Sequence, residues 1–255
     1  MMEFFVDRQS IVRTIWGKSD TILFVFAGAS AEFALNKAVD WLYFTGRLPA
    51  DPLGRLFSTV MYARLIVFSE KTKAEAAIDK ITAIHQVVEN NRGAKIPDWA
   101  YRDVLFMLIH YSVAAYELLE RKLTDKEKED LYDVFFRMGQ RMGLKELPDN
   151  YKDWLVSREA HLNADLRKSE YTEDLFKQYH KHLGAFRYRI LVESQKLVCP
   201  PLVIQLLQLN KFSWASPLLF FYKISRRLSL DEFLKSIILP ADYKKQIREL
   251  DVTPG

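Results

Sequence analysis

Three side chains with chemistry of their own lie close together in this sequence. Arg55 and Thr59 are four residues apart, so on a helix a fixed positive charge and a hydroxyl project from one face. That pair suits an anionic or partly anionic ligand. His85 follows on the next expected helix, among Ile78, Ile81 and Val88, where the periodicity asks for an aliphatic side chain. An imidazole there is either a satisfied core histidine or the ligand of something bound. His110 poses the same question inside the apolar run from Val104 to Tyr111, and it is a second ligand candidate.

Several familiar chemistries are absent. The sequence has no Gly-x-Gly-x-x-Gly, no phosphate loop, no Gly-x-Ser-x-Gly and no His-Glu-x-x-His, which removes the common dinucleotide, nucleotide, esterase and zinc-protease signatures. None of the five histidines has Glu three residues before it, so the Glu-x-x-His motifs of di-iron bundles are missing too. A helical protein that lacks these but buries histidines leaves haem open as a cofactor. A neutral imidazole ligates iron axially, and donors such as Arg55 and Thr59 suit a partly negative bound oxygen. His161 and the pair His180 and His182 sit among Glu, Lys and Arg and are expected on a solvated face. Cys199-Pro200-Pro201 is expected to end a helix around a buried, inert thiol.

The elements that must position these residues are helical. Asp51 before Pro52 reads as an N-cap followed by proline at the first helical position, opening a helix to about Phe68. Thr72-Lys73-Ala74-Glu75 has the pattern of a capping box and starts a helix to about Glu89; Thr124 to Glu127 and Ser229 to Glu232 repeat the device. Asp98 to Glu120 is apolar nearly all round, as a helix surrounded by others would be. Further helices are expected at 21–43, 125–142, 151–167, 173–183, 186–198, 202–209, 217–227, 230–238 and 242–250, with Gly143 and Gly184 as left-handed closing residues. The fold class is therefore all-α, a single multi-helix globular domain of about ten helices over residues 1–255.

Composition narrows the function. Charged residues make up 27% of the 255 positions, and the net charge is +4 with both signs interleaved, so nucleic acid binding is not implied. The single cysteine, Cys199, excludes an internal disulfide and fits a reducing compartment, the cytoplasm being the expectation. No signal peptide is read at the N-terminus, and the longest apolar stretches fall short of the roughly 20 residues that span a bilayer. Phe212 to Lys223, followed by Arg226-Arg227, joins aromatic to basic residues. Such a segment either packs into the core or makes a peripheral membrane contact that collects a lipid-like substrate.

The ordered series Asp51-Pro52-Leu53-Gly54-Arg55-Leu56-x-x-Thr59, Ile84-His85-x-x-Val88, Leu105-x-x-Leu108-Ile109-His110, Ala115-Tyr116-Glu117, Leu123-Thr124, and Phe136 with Gly139 and Gly143 resembles the mpaB and rubber oxygenase (latex-clearing protein) catalytic domain family. The resemblance runs from about Asp20 to Trp154, and residues 155–255 form a helical C-terminal part. It implies an all-α fold around haem b and dioxygen-dependent oxidation or cleavage of an apolar, isoprenoid or lipid-like substrate. By resemblance His85 ligates the iron, Arg55 and Thr59 lie on the distal side and act on dioxygen, and His110 is a pocket residue near the cofactor. Trp41, Phe57 and Met61 are expected to line the apolar substrate pocket. The sequence also departs from the family pattern: Val39 stands where many relatives carry a histidine, Ser58 where the latex-clearing branch has lysine, and Thr82 where an arginine is frequent. These departures imply a substrate other than rubber. They also keep a second reading open, a non-catalytic helical protein that binds haem or another apolar small molecule, or a scaffold whose haem site has been lost.

Overall fold

Capping chemistry sets where several of the helices begin. The computed structural model describes residues 3–46 and 50–210, together with Ser213 and Tyr222. Among them the chain forms ten helices: α1 (Ile11–Trp16), α2 (Ser19–Leu35), α3 (Val39–Phe44), α4 (Pro52–Phe68), α5 (Lys71–Arg92), α6 (Asp98–Leu119), α7 (Asp125–Arg141), α8 (Tyr151–Asp165), α9 (Glu170–Val198) and α10 (Pro201–Leu206). The protein is all-α, as expected. Asp51 caps α4 by accepting the Gly54 N–H at 2.8 Å, with Pro52 just inside the helix. Thr124 and Glu127 complete the reciprocal box of α7, and Gly143 follows it at φ +81°. The expected helices beyond residue 216, the Ser229 box and most of the aromatic-basic run 212–227 lie outside the described residues.

Tertiary contacts override local signals at two places. The single helix expected over 21–43 breaks at Asn36, which takes extended backbone at φ −69°, ψ 135°. Its amide donates to Asp103 at 2.6 Å and its carbonyl oxygen accepts the Ala38 N–H, while Leu35 and Lys37 exchange backbone bonds with Arg167 and Asp165. Asn36 is thus worth more to the chain as a cross-link than as a helical residue. The Thr72 box is likewise unused, because α5 starts at Lys71, whose N–H is satisfied by the Glu3 carbonyl at 2.9 Å beside the Phe4–Glu70 bridge. The N-terminal segment therefore does the capping. It also supplies α1, a short helix capped by Ser10 that the sequence pattern does not announce.

α6 is the central element, and its apolar girth is buried by α2, α7 and α8 in a core that includes Ile22, Phe26, Leu105, Phe106, Ile109, Leu131, Phe135 and Trp154. α2 approaches α6 closely because position 28 is glycine. A Cβ there would lie 2.1 Å from the Tyr111 ring.

Across this interface runs a seam of buried polar groups. Glu32 of α2 forms an ion pair with Arg158 of α8 and accepts the Tyr111 hydroxyl of α6 at 2.9 Å. Tyr111 also reaches the Cys199 sulfur at 3.7 Å, and burial pushes that thiol up, so it stays protonated and inert as expected. His110 lies at the same junction. The residue keeps some surface, but its Nε2 is sealed from solvent without a hydrogen-bond partner. Burial and the Arg158 charge push the imidazole down to about 3, against a hydrogen bond to the Val198 backbone that favours the charged form. At the other end of the seam His161 Nδ1 meets Asp103 at 2.5 Å and Asp165 at 3.4 Å. The solvated position expected for His161 is corrected here, since its ring also packs edge-on against Phe106.

Two consequences can be measured. Gly28→Ala should lower stability by about 3 kcal/mol in denaturant unfolding, because the fully buried Tyr111 ring cannot yield to the new methyl. For His110 the unfolded chain binds a proton below its ordinary value of 6.5, whereas the folded chain binds one only near 3. Stability should therefore fall on acidification through that window, by about 1–2 kcal/mol between pH 7 and pH 5. His110→Gln should remove that part of the pH slope, read as the difference between the two stability profiles.

Candidate functional site

α4 and α5 form an antiparallel hairpin through Ser69 and Glu70, and Arg55 and His85 lie nearly equidistant from that turn. The pairing brings them together at the hairpin's open end, where the Arg55 charge acts on the imidazole. Burial first and Arg55 second lower the His85 pKa, with Glu89 opposing, so the ring is neutral at physiological pH. His85 Nδ1 is sealed from solvent and has no hydrogen-bond partner among the described residues. The ring rests edge-on against Tyr101 of α6, with centroids 5.1 Å apart and planes at 67°.

Tyr101 is itself held. Its hydroxyl donates to Glu89 Oε1 at 3.1 Å, and the same oxygen accepts the Ile96 N–H at 2.9 Å, which ties the end of α5 to the start of α6. Glu89 follows His85 by one helical turn and therefore shares its face. That i,i+4 spacing was the available signal for Glu89. Tyr101 had none, since it reaches His85 only through the α5–α6 connection.

The other predicted residues have different surroundings. Thr59 is exposed and donates its hydroxyl to the Arg55 carbonyl at 3.1 Å, and Ser58 donates to the same carbonyl at 2.8 Å. His110 stands nine residues beyond Tyr101 on α6, about half a turn away in direction and roughly 13 Å further along, and faces Val198 and Arg158 instead of His85. Val39 packs into an apolar cluster with Ala34, Leu175 and Tyr179. The three aromatic and apolar residues expected to line one pocket do not share one environment. Trp41 lies under the Arg92 guanidinium at 4.0 Å, Phe57 packs edge-on against Phe26 in the core, and Met61 is 50% exposed on the surface. Arg92 also pairs with Asp40 at 2.8 Å, so α3 is clamped onto the C-terminal end of α5.

Burial falls away along α5 toward His85. Ala74, Ala77 and Ile78 are buried in the core, but no residue of α5 after Ile78 is. Ile84 and Val87 are 39% and 57% exposed, but they lie about 100° and 160° around α5 from His85 and so belong to other sides of the helix. A neutral imidazole close to a guanidinium suits a group that carries negative charge at an edge. One other cluster of candidate ligands occurs among the described residues. Asp103, His161 and Asp165 bring candidate ligand atoms within 4.8 Å of one another, but there the imidazole, Asn36 and the two carboxylates already satisfy each other.

Residues 16–223 match the family model described as ER-bound oxygenase mpaB/B'/Rubber oxygenase, catalytic domain. No curated protein and no solved structure matches the chain. The matched span runs beyond the motif series that ends near Trp154 and takes in α8, α9 and α10 with the polar seam. With well over half of its length matched, the chain belongs to the mpaB/B' and rubber oxygenase family of oxygenase catalytic domains.

Proposed function

We propose that this protein is a haem b-dependent oxygenase that uses dioxygen on an apolar, isoprenoid or lipid-like substrate, with His85 as the residue that holds the iron. The observation that carries the proposal is His85 itself: a neutral imidazole with an unpartnered ring nitrogen, close to the Arg55 charge, in an oxygenase family. Metal ligation requires the neutral ring, and the desolvation and the Arg55 charge both favour it. The neutral His85 ring therefore fits the donor that the group needs. When bound, haem supplies the iron chemistry that activates dioxygen for attack on the substrate.

The chain's own residues would perform the rest. Tyr101 and Glu89 fix the plane of the His85 ring, so the histidine enters the site pre-oriented. Arg55 places a permanent cation where negative charge develops, and a half-buried cation there is more effective than one in water. Thr59 would contribute by turning its hydroxyl away from the Arg55 carbonyl, a single rotamer step.

Haemin reconstitution of the purified chain, followed by ultraviolet-visible spectroscopy, tests the assignment. A Soret band at one haem per chain is expected, and His85→Ala should weaken haem retention by at least about tenfold, the loss that even an outer partner of a ligand causes. A colourless wild-type protein, or a His85→Ala variant with an unchanged spectrum and affinity, overturns it.

A further inference from the structure

The middle of α9 is not a straight helix. Gly184 has φ +71° and ψ 164°, and the rings of His180 and Tyr188 stand 5.0 Å apart although eight residues separate them. Along a straight helix those positions would be about 12 Å apart. The chain therefore folds back sharply at Gly184, as its expected closing role implies, and the residues around it form a projecting tip. Lys181, His182, Gly184, Ala185 and Phe186 are all exposed, Phe186 at 63%.

Along the chain the charge flanking this tip has one sign. Between Asp174 and Glu193 there is no acidic residue, while Lys177, Lys181 and Arg189 supply three exposed cations; Glu173 and Glu193 line the cavity behind the turn together with Ala185 and Arg189. The bordering carboxylates are engaged elsewhere: Asp174 accepts the Tyr43 hydroxyl at 2.8 Å, Glu193 pairs with Lys196 at 2.6 Å, and Glu173 faces Lys168 at 3.3 Å. A lone exposed aromatic residue is ordinary on a protein surface. A phenylalanine at the apex of a turn, with cations on both sides and no anion near it in sequence, has the complement of an anionic interface with an apolar interior. We propose that the Gly184 tip docks on an anionic phospholipid surface, with Phe186 entering below the headgroups and Lys181 and Arg189 meeting their phosphates. This surface shares no residue with the His85 site, and the inference stands whether or not haem is bound.

Vesicle flotation with the full chain tests it, using phosphatidylcholine vesicles with and without phosphatidylserine. Binding is expected only to the serine-containing vesicles and should decline as salt is raised. Phe186→Ser should weaken binding about tenfold through the lost apolar contact. Lys181→Glu with Arg189→Glu should weaken it at least about tenfold and remove its salt dependence. All three positions are exposed, so unchanged thermal unfolding of the variants will verify that the fold is intact. Failure of the parent chain to float with anionic vesicles overturns the proposal. So does equal binding to neutral vesicles, or binding that survives both sets of substitutions, which would place the contact elsewhere on the chain. Retention of a nucleic acid that depends on Lys181 and Arg189 but not on Phe186, without vesicle binding, would identify a different partner and overturn it as well.

Discussion

The buried ion pair between Glu32 and Arg158 is the constraint from which the rest of the packing follows. Both side chains are almost completely withdrawn from water, and leaving either one without the other would cost about 3–5 kcal/mol. The pair can form only if α2 and α8 meet across α6, and the Tyr111 hydroxyl on Glu32 sets the rotation of α6 between them. Gly28 supplies the clearance that this rotation needs, since any larger residue would strike the Tyr111 ring. Once α6 is fixed in this way, its first turn delivers Tyr101 to the open end of the α4–α5 hairpin. The orientation of His85 thus depends on a salt bridge in a different layer of the molecule.

Local rules made much of the helical layout legible. Asp51-Pro52, the Thr124 box, Gly143 and the turn at Gly184 all act through their own backbone neighbours, so their meaning does not depend on what packs around them. Asn36 and Thr72 fail for the opposite reason. Each sits where a distant segment offers a better partner: Asp103 and the strand-like pair at Leu166 for Asn36, and the Glu3 carbonyl in place of a Thr72 cap. The polar seam was hidden because periodicity reads Arg158 and His161 as the solvated side of an ordinary surface helix. Glu32 was the one available sign, a single carboxylate in the otherwise apolar and small-residue run from Ala27 to Leu35.

Histidine shows most clearly where pattern stops and environment begins. His85 and His110 present the same signal in sequence, an imidazole on an apolar helical face, and burial lowers both pKa values. Their surroundings differ in kind. His110 is enclosed by the seam, engages the Val198 backbone at the end of α9, and lies beside a guanidinium already committed to Glu32. Helix α9 ends before Pro200 and Pro201, neither of which has an N–H, so the Val198 carbonyl gains from an external donor. That accounts for His110 in structural terms. His85 likewise has a buried ring nitrogen without a partner among the described residues, but it engages no helix end: its neighbours are the Arg55 and Glu89 charges and the Tyr101 ring.

The gradient of burial along α5 carries the argument one step further. A helix that serves only as a wall is buried along its length, as α6 is. α5 is anchored at Ala74, Ala77 and Ile78 and then held at its far end by polar clamps, Arg92 on Trp41 and Asp40, and Glu89 on Tyr101 and Ile96. Clamps of this type fix a helix in space without filling the volume beside it, because charge pairs and ring contacts act at the helix end. Ile84 and Val87, partly exposed on other sides of α5, each forgo only about 1 kcal/mol of hydrophobic stabilisation. Because no residue of α5 after Ile78 is buried, a group bound at His85 would add contacts there without displacing packed core side chains.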